Sequence, residues 1–361
     1  MRILLSDTLG GYIEELLGYI DFSSMEQFLN EHLRGRVSLS DLIQRVSQDG
    51  LKGLDGELIS QFFFDSVLYE LSVARPIFIK MILFSVLFSV FTRMVGKANS
   101  YISNMGFLTI YATMMVLLMQ SLLMVKDIAM GGIESINTFL KALIPTYATV
   151  LAFSGNLVSA GFFYEIAFGI IYVMERFFQV LLSPMIHIFV LLLFMNQLFE
   201  EDRLSGLADF VEKLIRIGLK LAFAGVIGLS VVQSLFTATK DRVSESVILQ
   251  GLSAIPGIGN AIGASGKILL SCGMLIKNTV GIIALVVLIV VAMVPIGKIA
   301  CFWLLYHLLA ALLMPIGDVR ICACVSAVAR GCDLYLKMVM YSMLFFFILI
   351  AMVGMASSFI R

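Results

Sequence analysis

The side chains in this sequence that could carry chemistry are few, and most lie inside apolar runs. The chain has 3 His. Two of them, His187 and His307, sit in such runs. Together they would form a proton relay; singly, each would hydrogen-bond a neighbouring helix. Glu165 is a carboxylate in the same setting. It either sits near a membrane interface or pairs across helices with a lysine. Lys80, Lys267 and Lys277 are the cations in apolar surroundings, and Lys80 is close enough to a run's end to snorkel to the headgroups. Cys322 and Cys324 are one residue apart, with Cys332 further on. Structural zinc takes wider spacings in two pairs, so packed thiols are the reading and no metal is expected. The 5 Cys are an odd number, which excludes a complete disulfide framework. No Ser/His/Asp set, paired-carboxylate site or metalloprotease motif stands out. No catalytic residue and no cofactor are expected, and the chain reads as something other than an enzyme.

Gly and Pro carry more information. All 6 Pro touch hydrophobic segments: Pro76, Pro145, Pro184, Pro256, Pro295 and Pro315. Each lacks an amide donor and clashes with the preceding turn, so it begins, kinks or breaks a helix. Two of these places look alike. Residues 144–161 read IPTYATVLAFSGNLVSAG, and residues 255–266 read IPGIGNAIGASG. Paired Gly/Pro-interrupted segments point to a central pathway in transporters. Read that way, Pro145, Gly155 and Asn156 belong to one broken or re-entrant helix, and Pro256, Gly257, Gly259, Asn260, Gly263 and Gly266 to the other. The alternative is chance similarity in a Gly- and Ala-rich membrane chain. A phosphate loop is rejected. Gly257, Gly259 and Gly263 are spaced one residue too long for the dinucleotide fingerprint, and Gly266–Lys267 is not followed by Ser or Thr. Close helix packing through Gly259 and Gly263 fits better.

These segments need a membrane scaffold. The 361 residues are 60% hydrophobic and 14% charged, with a mean hydropathy of +0.99. Soluble domains carry about 25% charged residues, so a water-soluble enzyme and a disordered regulator are both excluded. A formal net charge of +0 gives no field that would attract nucleic acid. The fold class is all-α: a polytopic helical membrane protein with broken or re-entrant helices and a small N-terminal helical domain. A span needs about 20 apolar residues. Residues 76–361 offer about nine such runs: Ile77–Met94, Met105–Val125, Phe139–Phe153, Ala160–Met174, Phe177–Phe199, Leu219–Ala238, Thr279–Ile296, Ile299–Ile316 and Met338–Ile360. Glu175 and Arg176 mark either a tight turn between two spans or charges buried within one, with the break at Ser183–Pro184.

Residues 1–75 differ. They hold about half of the acidic residues and about a quarter of the basic ones. Their apolar residues recur at helical spacing, as in Met25, Phe28, Leu29 and Leu33. Ser23 with Glu26 reads as a capping box. No secretory signal peptide is evident, because the first apolar run is too short. Arg93 and Lys97 follow the first span without acids, which places that loop in the cytoplasm and residues 1–75 outside it. The Glu200–Lys220 stretch, with its stripe of Leu207, Phe210, Val211 and Leu214, suits an interfacial helix leading into a span.

Three runs together resemble a known family: GLDGELISQFFFDSVLYEL (residues 53–71), QGLSAIPGIGNAIGASG (250–266) and LIKNTVGIIAL (275–285). They look like stage III sporulation protein AE of endospore-forming bacteria, from about Leu51 to the C-terminus. The resemblance implies a multi-pass protein of the mother-cell-derived membrane around the forespore. It implies a role in the channel or feeding apparatus needed after engulfment. The implied partners are the lipid bilayer, the other proteins of the same operon including an ATPase-like energy source, and a forespore membrane protein. No catalytic residues carry over. Two readings of function stand at this stage. One is an oligomeric channel or export-apparatus subunit, built from several copies of the chain. The other is a stand-alone secondary transporter, or permease, that uses the two interrupted segments as its site. A transporter should place exchangeable charges at the midplane, and the sequence offers few.

Overall fold

The computed structural model describes residues 23–32, 100–154, 157–198, 202–253, 259–315 and 319–356, together with 75, 76, 79, 80, 82, 83 and 86. For 230–276 it gives the backbone only. Seven α-helices follow in order: α1 (Ser23–His32), α2 (Ser100–Phe153), α3 (Leu157–Arg176), α4 (Ser183–Asn196), α5 (Ser205–Ser253), α6 (Gly259–Leu313) and α7 (Val319–Ala356), with a π turn at Phe177–Leu182 between α3 and α4. Among the described residues there is no strand. The chain is all-α, as its composition and periodicity predict.

Four helical stretches among the described residues are long and apolar enough to cross a membrane: Leu108–Phe153, Phe163–Asn196, Lys277–Leu313 and Val319–Ala351. The apolar runs of the sequence join into fewer, longer helices. Met105–Val125 and Phe139–Phe153 are both parts of α2, and Thr279–Ile296 with Ile299–Ile316 lies along α6 as far as the described residues reach. Helix α2 has 54 residues and α6 has 55. At about 1.5 Å per residue each is about 80 Å long, well beyond a hydrocarbon layer of about 30 Å.

Pro145 and Pro295 lie inside these helices without ending them. Each removes one ladder bond, which packing against neighbours can offset. Glu175 and Arg176 do not form a turn. The helix runs on through them into the π turn, where the Ser183 amide donates to the Phe178 carbonyl five residues back. The wider turn precedes Pro184, which has no amide to donate.

Contacts fix the helix directions. Tyr111 of α2 meets Cys324 of α7, and a Cβ on Gly132 of α2 would touch Val339 of α7, so these two helices run parallel. Helix α6 runs antiparallel to α2: Ser121 meets Tyr306, Gly132 faces Pro295, and Tyr147 abuts Gly281. Helix α4 is antiparallel to α7, and α5 is parallel to it. The core is one continuous cluster that includes Leu118, Leu122, Ile136, Phe178, Phe189, Phe302, Tyr335 and Phe346. Met25 and Phe28 of α1 belong to it, and the Phe28 ring lies 5.4 Å from that of Phe139. The apolar stripe predicted for the N-terminal region thus packs directly on α2.

Candidate functional site

Polar groups gather where α4, α5 and α7 meet. On α7 the spacing Asp333–Lys337 places a carboxylate and an ammonium one turn apart, and they pair. On α5 the spacing Glu212–Arg216 does the same, with Arg216 Nε donating to Glu212 Oε1 at 2.8 Å. The two pairs then interlock. Arg330 of α7 donates to the other Glu212 oxygen, Oε2, and to Asp209 Oδ1 at 3.2 Å. Arg216 reaches Asp333 Oδ2 at 3.3 Å. The Arg330 guanidinium also lies over the Phe189 ring of α4, 5.0 Å from its centroid. Burial alone would raise the pKa of Glu212. The hydrogen bonds from Arg216 and Arg330, with their charges, outweigh it and hold the carboxyl below its ordinary value.

One turn deeper, Ser183 and His187 of α4 face Tyr335 of α7. The Tyr335 hydroxyl lies 3.0 Å from His187 Nδ1 and 3.2 Å from Ser183 Oγ, and it can donate to the Ser183 carbonyl at 3.3 Å. His187 Nδ1 lies 2.9 Å from the same carbonyl, a contact that places its proton on Nδ1. His187 Nε2 is buried without a partner. A serine nucleophile would need the ring nitrogen on its hydroxyl and a third group orienting the ring. Here the ring nitrogen meets the main-chain carbonyl and the tyrosine, so the cluster ties helices together. Two further buried tyrosines do similar work. Tyr111 donates to the Phe194 carbonyl at 2.6 Å and contacts Cys324 Sγ at 3.1 Å, and Tyr306 donates to Ser121.

The groups singled out from the sequence fall in several places. His307 is exposed on α6 with its ring against Trp303, centroids 4.8 Å apart, and it does not join His187. Glu165 is exposed on α3, and it shares a cleft with Pro145, Ala148, Ala152, Ala160 and Gly161. It makes no lysine pair among the described residues; Lys141 pairs instead with Glu175, at 3.5 Å. Gly155, Asn156, Pro256 and Gly257 lie outside the described residues. Gly259, Asn260, Gly263 and Gly266 are in the first turns of α6, described by backbone alone. The two look-alike segments both fall where one long helix gives way to the next. They lie at different heights. Tyr147 abuts Gly281, and α2 ends about 9 Å beyond Tyr147, whereas Gly259 lies about 33 Å along α6 from Gly281.

The buried cysteines Cys324 and Cys332 carry free thiols. Among the described residues no group of three His, Cys, Asp or Glu is placed to hold a metal. The charged seam itself is absent from the groups that sequence reasoning favoured. Its signal was the spacing of Glu212–Arg216 and Asp333–Lys337, two opposite-charge pairs one turn apart on helices otherwise read for their apolar faces.

The family model described as stage III sporulation protein AE matches residues 37–357. The protein named stage III sporulation protein AE of Bacillus subtilis (strain 168) is 26% identical over 252 residues, which is 69% of this chain. The chain spans 63% of the length of that curated relative. No solved structure matches. The family match runs unbroken from ahead of the first apolar run almost to the end of α7, and so takes in α2 to α7, the charged seam and both Gly/Pro segments; this chain belongs to the stage III sporulation protein AE family.

Proposed function

We propose that this chain is a subunit of a membrane channel or export apparatus that links the mother cell to the engulfed forespore. The observation that carries the reading is the family match over residues 37–357, on a helical chain with four stretches able to cross a membrane. The protein sits in the mother-cell-derived membrane around the forespore. Several copies assemble there with the other proteins of the same operon, an ATPase-like subunit supplies energy, and a forespore membrane protein completes the path. The chain contributes walls and packing rather than a chemical step. The polar groups at its helix contacts support this, since they tie helices to one another and leave no nucleophile paired with a base.

Deletion of the gene in a spore-forming host tests the reading. Development should arrest after engulfment, and the full chain should restore it. Spores formed at the parental frequency without the protein would sink the proposal. Purified protein alone in sealed vesicles provides the opposing test. Solute uptake driven by a proton or sodium gradient, and lost in Glu165→Gln, would establish a stand-alone transporter instead.

A further inference from the structure

Glu165 lies near the middle of α3, exposed, with no ion pair or hydrogen bond among the described residues. A carboxylate that faces hydrocarbon is costly, and intramembrane acids therefore meet a cation or a polar partner. The side chain forms part of the wall of a cleft of about 670 Å³ between the last turns of α2 and the first turns of α3. The rest of that wall is small or apolar, with Pro145, Ala148 and Ala152 on one side and Ala160 and Gly161 on the other. A Cβ added at Gly161 would meet nothing within 4 Å, so the cleft is open there. Small walls let another helix approach closely, and the carboxylate specifies that this helix must bring a cation.

The chain itself carries a surface of that chemistry. Residues 79, 80, 82, 83 and 86 are helical and exposed. Ile79, Ile82, Leu83 and Val86 recur at helical spacing as one apolar stripe, and Lys80 lies beside it. Lys80 and Glu165 are both exposed and do not pair within the protomer. We propose that the α2–α3 cleft receives the Ile77–Met94 helix of a second copy of this chain, with Lys80 of that copy against Glu165. The long lysine stem lets the ammonium reach a carboxylate that lies deeper than its own backbone. Stripe and cleft are different surfaces, so the contact is heterologous and repeats into a ring when its rotation closes. This inference rests on the multi-copy assembly proposed above and adds where the copies meet.

The test uses the full chain in membranes, co-expressed as two differently tagged copies. One copy carries p-benzoylphenylalanine at position 83. Ultraviolet light should yield a dimer bearing both tags, with the crosslink mapped by mass spectrometry to residues 145–165 of the other copy. Gly161→Leu, which fills open space, and Glu165→Lys should each lower the yield about fivefold or more. Lys80→Glu on the copy carrying the crosslinker should restore the yield against Glu165→Lys on the other. Native mass of the unlabelled protein is measured in parallel. A multi-copy assembly whose crosslinks fall elsewhere, within one copy or only on lipid would overturn this inference alone. A monomer would overturn it together with the multi-copy reading. Failure of the charge exchange to restore the wild-type crosslink would remove the Lys80–Glu165 pairing.

Discussion

Glu212 of α5 and Arg330 of α7 are joined carboxylate to guanidinium, and the same carboxylate accepts from Arg216 one turn along its own helix. The Glu212 side chain is 14% exposed, while the two arginines are 39% and 43% exposed. The seam is therefore intermediate between a surface pair and a buried one. Glu212→Gln should cost about 1–2 kcal/mol, between the limits for exposed and buried pairs. Thermal unfolding in detergent checks it, and an unchanged midpoint would show that α5 is held by apolar contacts alone.

The same residue predicts an acid limit. Its folded-state pKa lies below the unfolded value near 4.5. Its stabilisation is then fully present above that value and is lost as pH falls through the lower folded value. The stability gap between wild type and Glu212→Gln should stay constant from neutral pH down to about pH 5 and close below it. Midpoints measured over that range for both proteins provide the comparison.

Gly131 and Gly132 are neighbours with opposite expectations. A Cβ on Gly132 would lie 2.5 Å from Pro295 Cβ, part of a rigid ring, whereas one on Gly131 would meet nothing within 4 Å. Gly132→Ala should destabilise by about 1–3 kcal/mol. Gly131→Ala should be neutral or gain up to about 1 kcal/mol from helix propensity. Equal midpoints for the two variants would mean that α2 and α6 are further apart than described.

Tyr335→Phe removes a hydroxyl that contacts Ser183 and His187 and should cost about 1–2 kcal/mol. His307→Ala, on an exposed face, should stay within about 0.5 kcal/mol. Both variants should still complete sporulation when expressed at the wild-type level. Loss of sporulation by His307→Ala at normal abundance would point to a chemical role that the geometry does not suggest.

The all-helical architecture is legible in the sequence because long apolar runs have few alternatives in lipid. The joining of runs is less legible. Lys126, Asp127 and Glu134 appear to interrupt α2 when hydropathy is averaged, yet they alternate with buried Ala129, Ile133 and Ile136 at helical spacing, so one face remains continuous. Helix α5 shows the reverse. Its stripe of Leu207, Phe210 and Leu214 reads as a face for packing but is exposed, while Ala208, Ile215 and Leu219 point inward with Glu212. At a membrane the outside is apolar too, so hydrophobicity alone does not tell inside from outside, and interlocking charges decide the rotation. Of the candidate site, Glu165 was legible as an ionisable group out of place. Its openness to a partner was not, because that depends on where α2 turns back into α3.

The π turn at Phe177–Leu182 makes the bundle sensitive to chain length. It inserts extra residue width into what is otherwise one rod, so α3 and α4 are set in independent angular phase. Phe163, Ala167 and Ile171 of α3 are turned into the core, and Ser183, Ile186 and Val190 of α4 are turned inward beside α7. Removing a single residue from the π turn would restore an ordinary helix and swing everything beyond it by about 100°. His187 would then leave Tyr335, and Val190 would leave Gly331. Substitutions in this turn alter one contact each, but a one-codon deletion would act as a rotation of half the rod and misalign every residue of α4 at once.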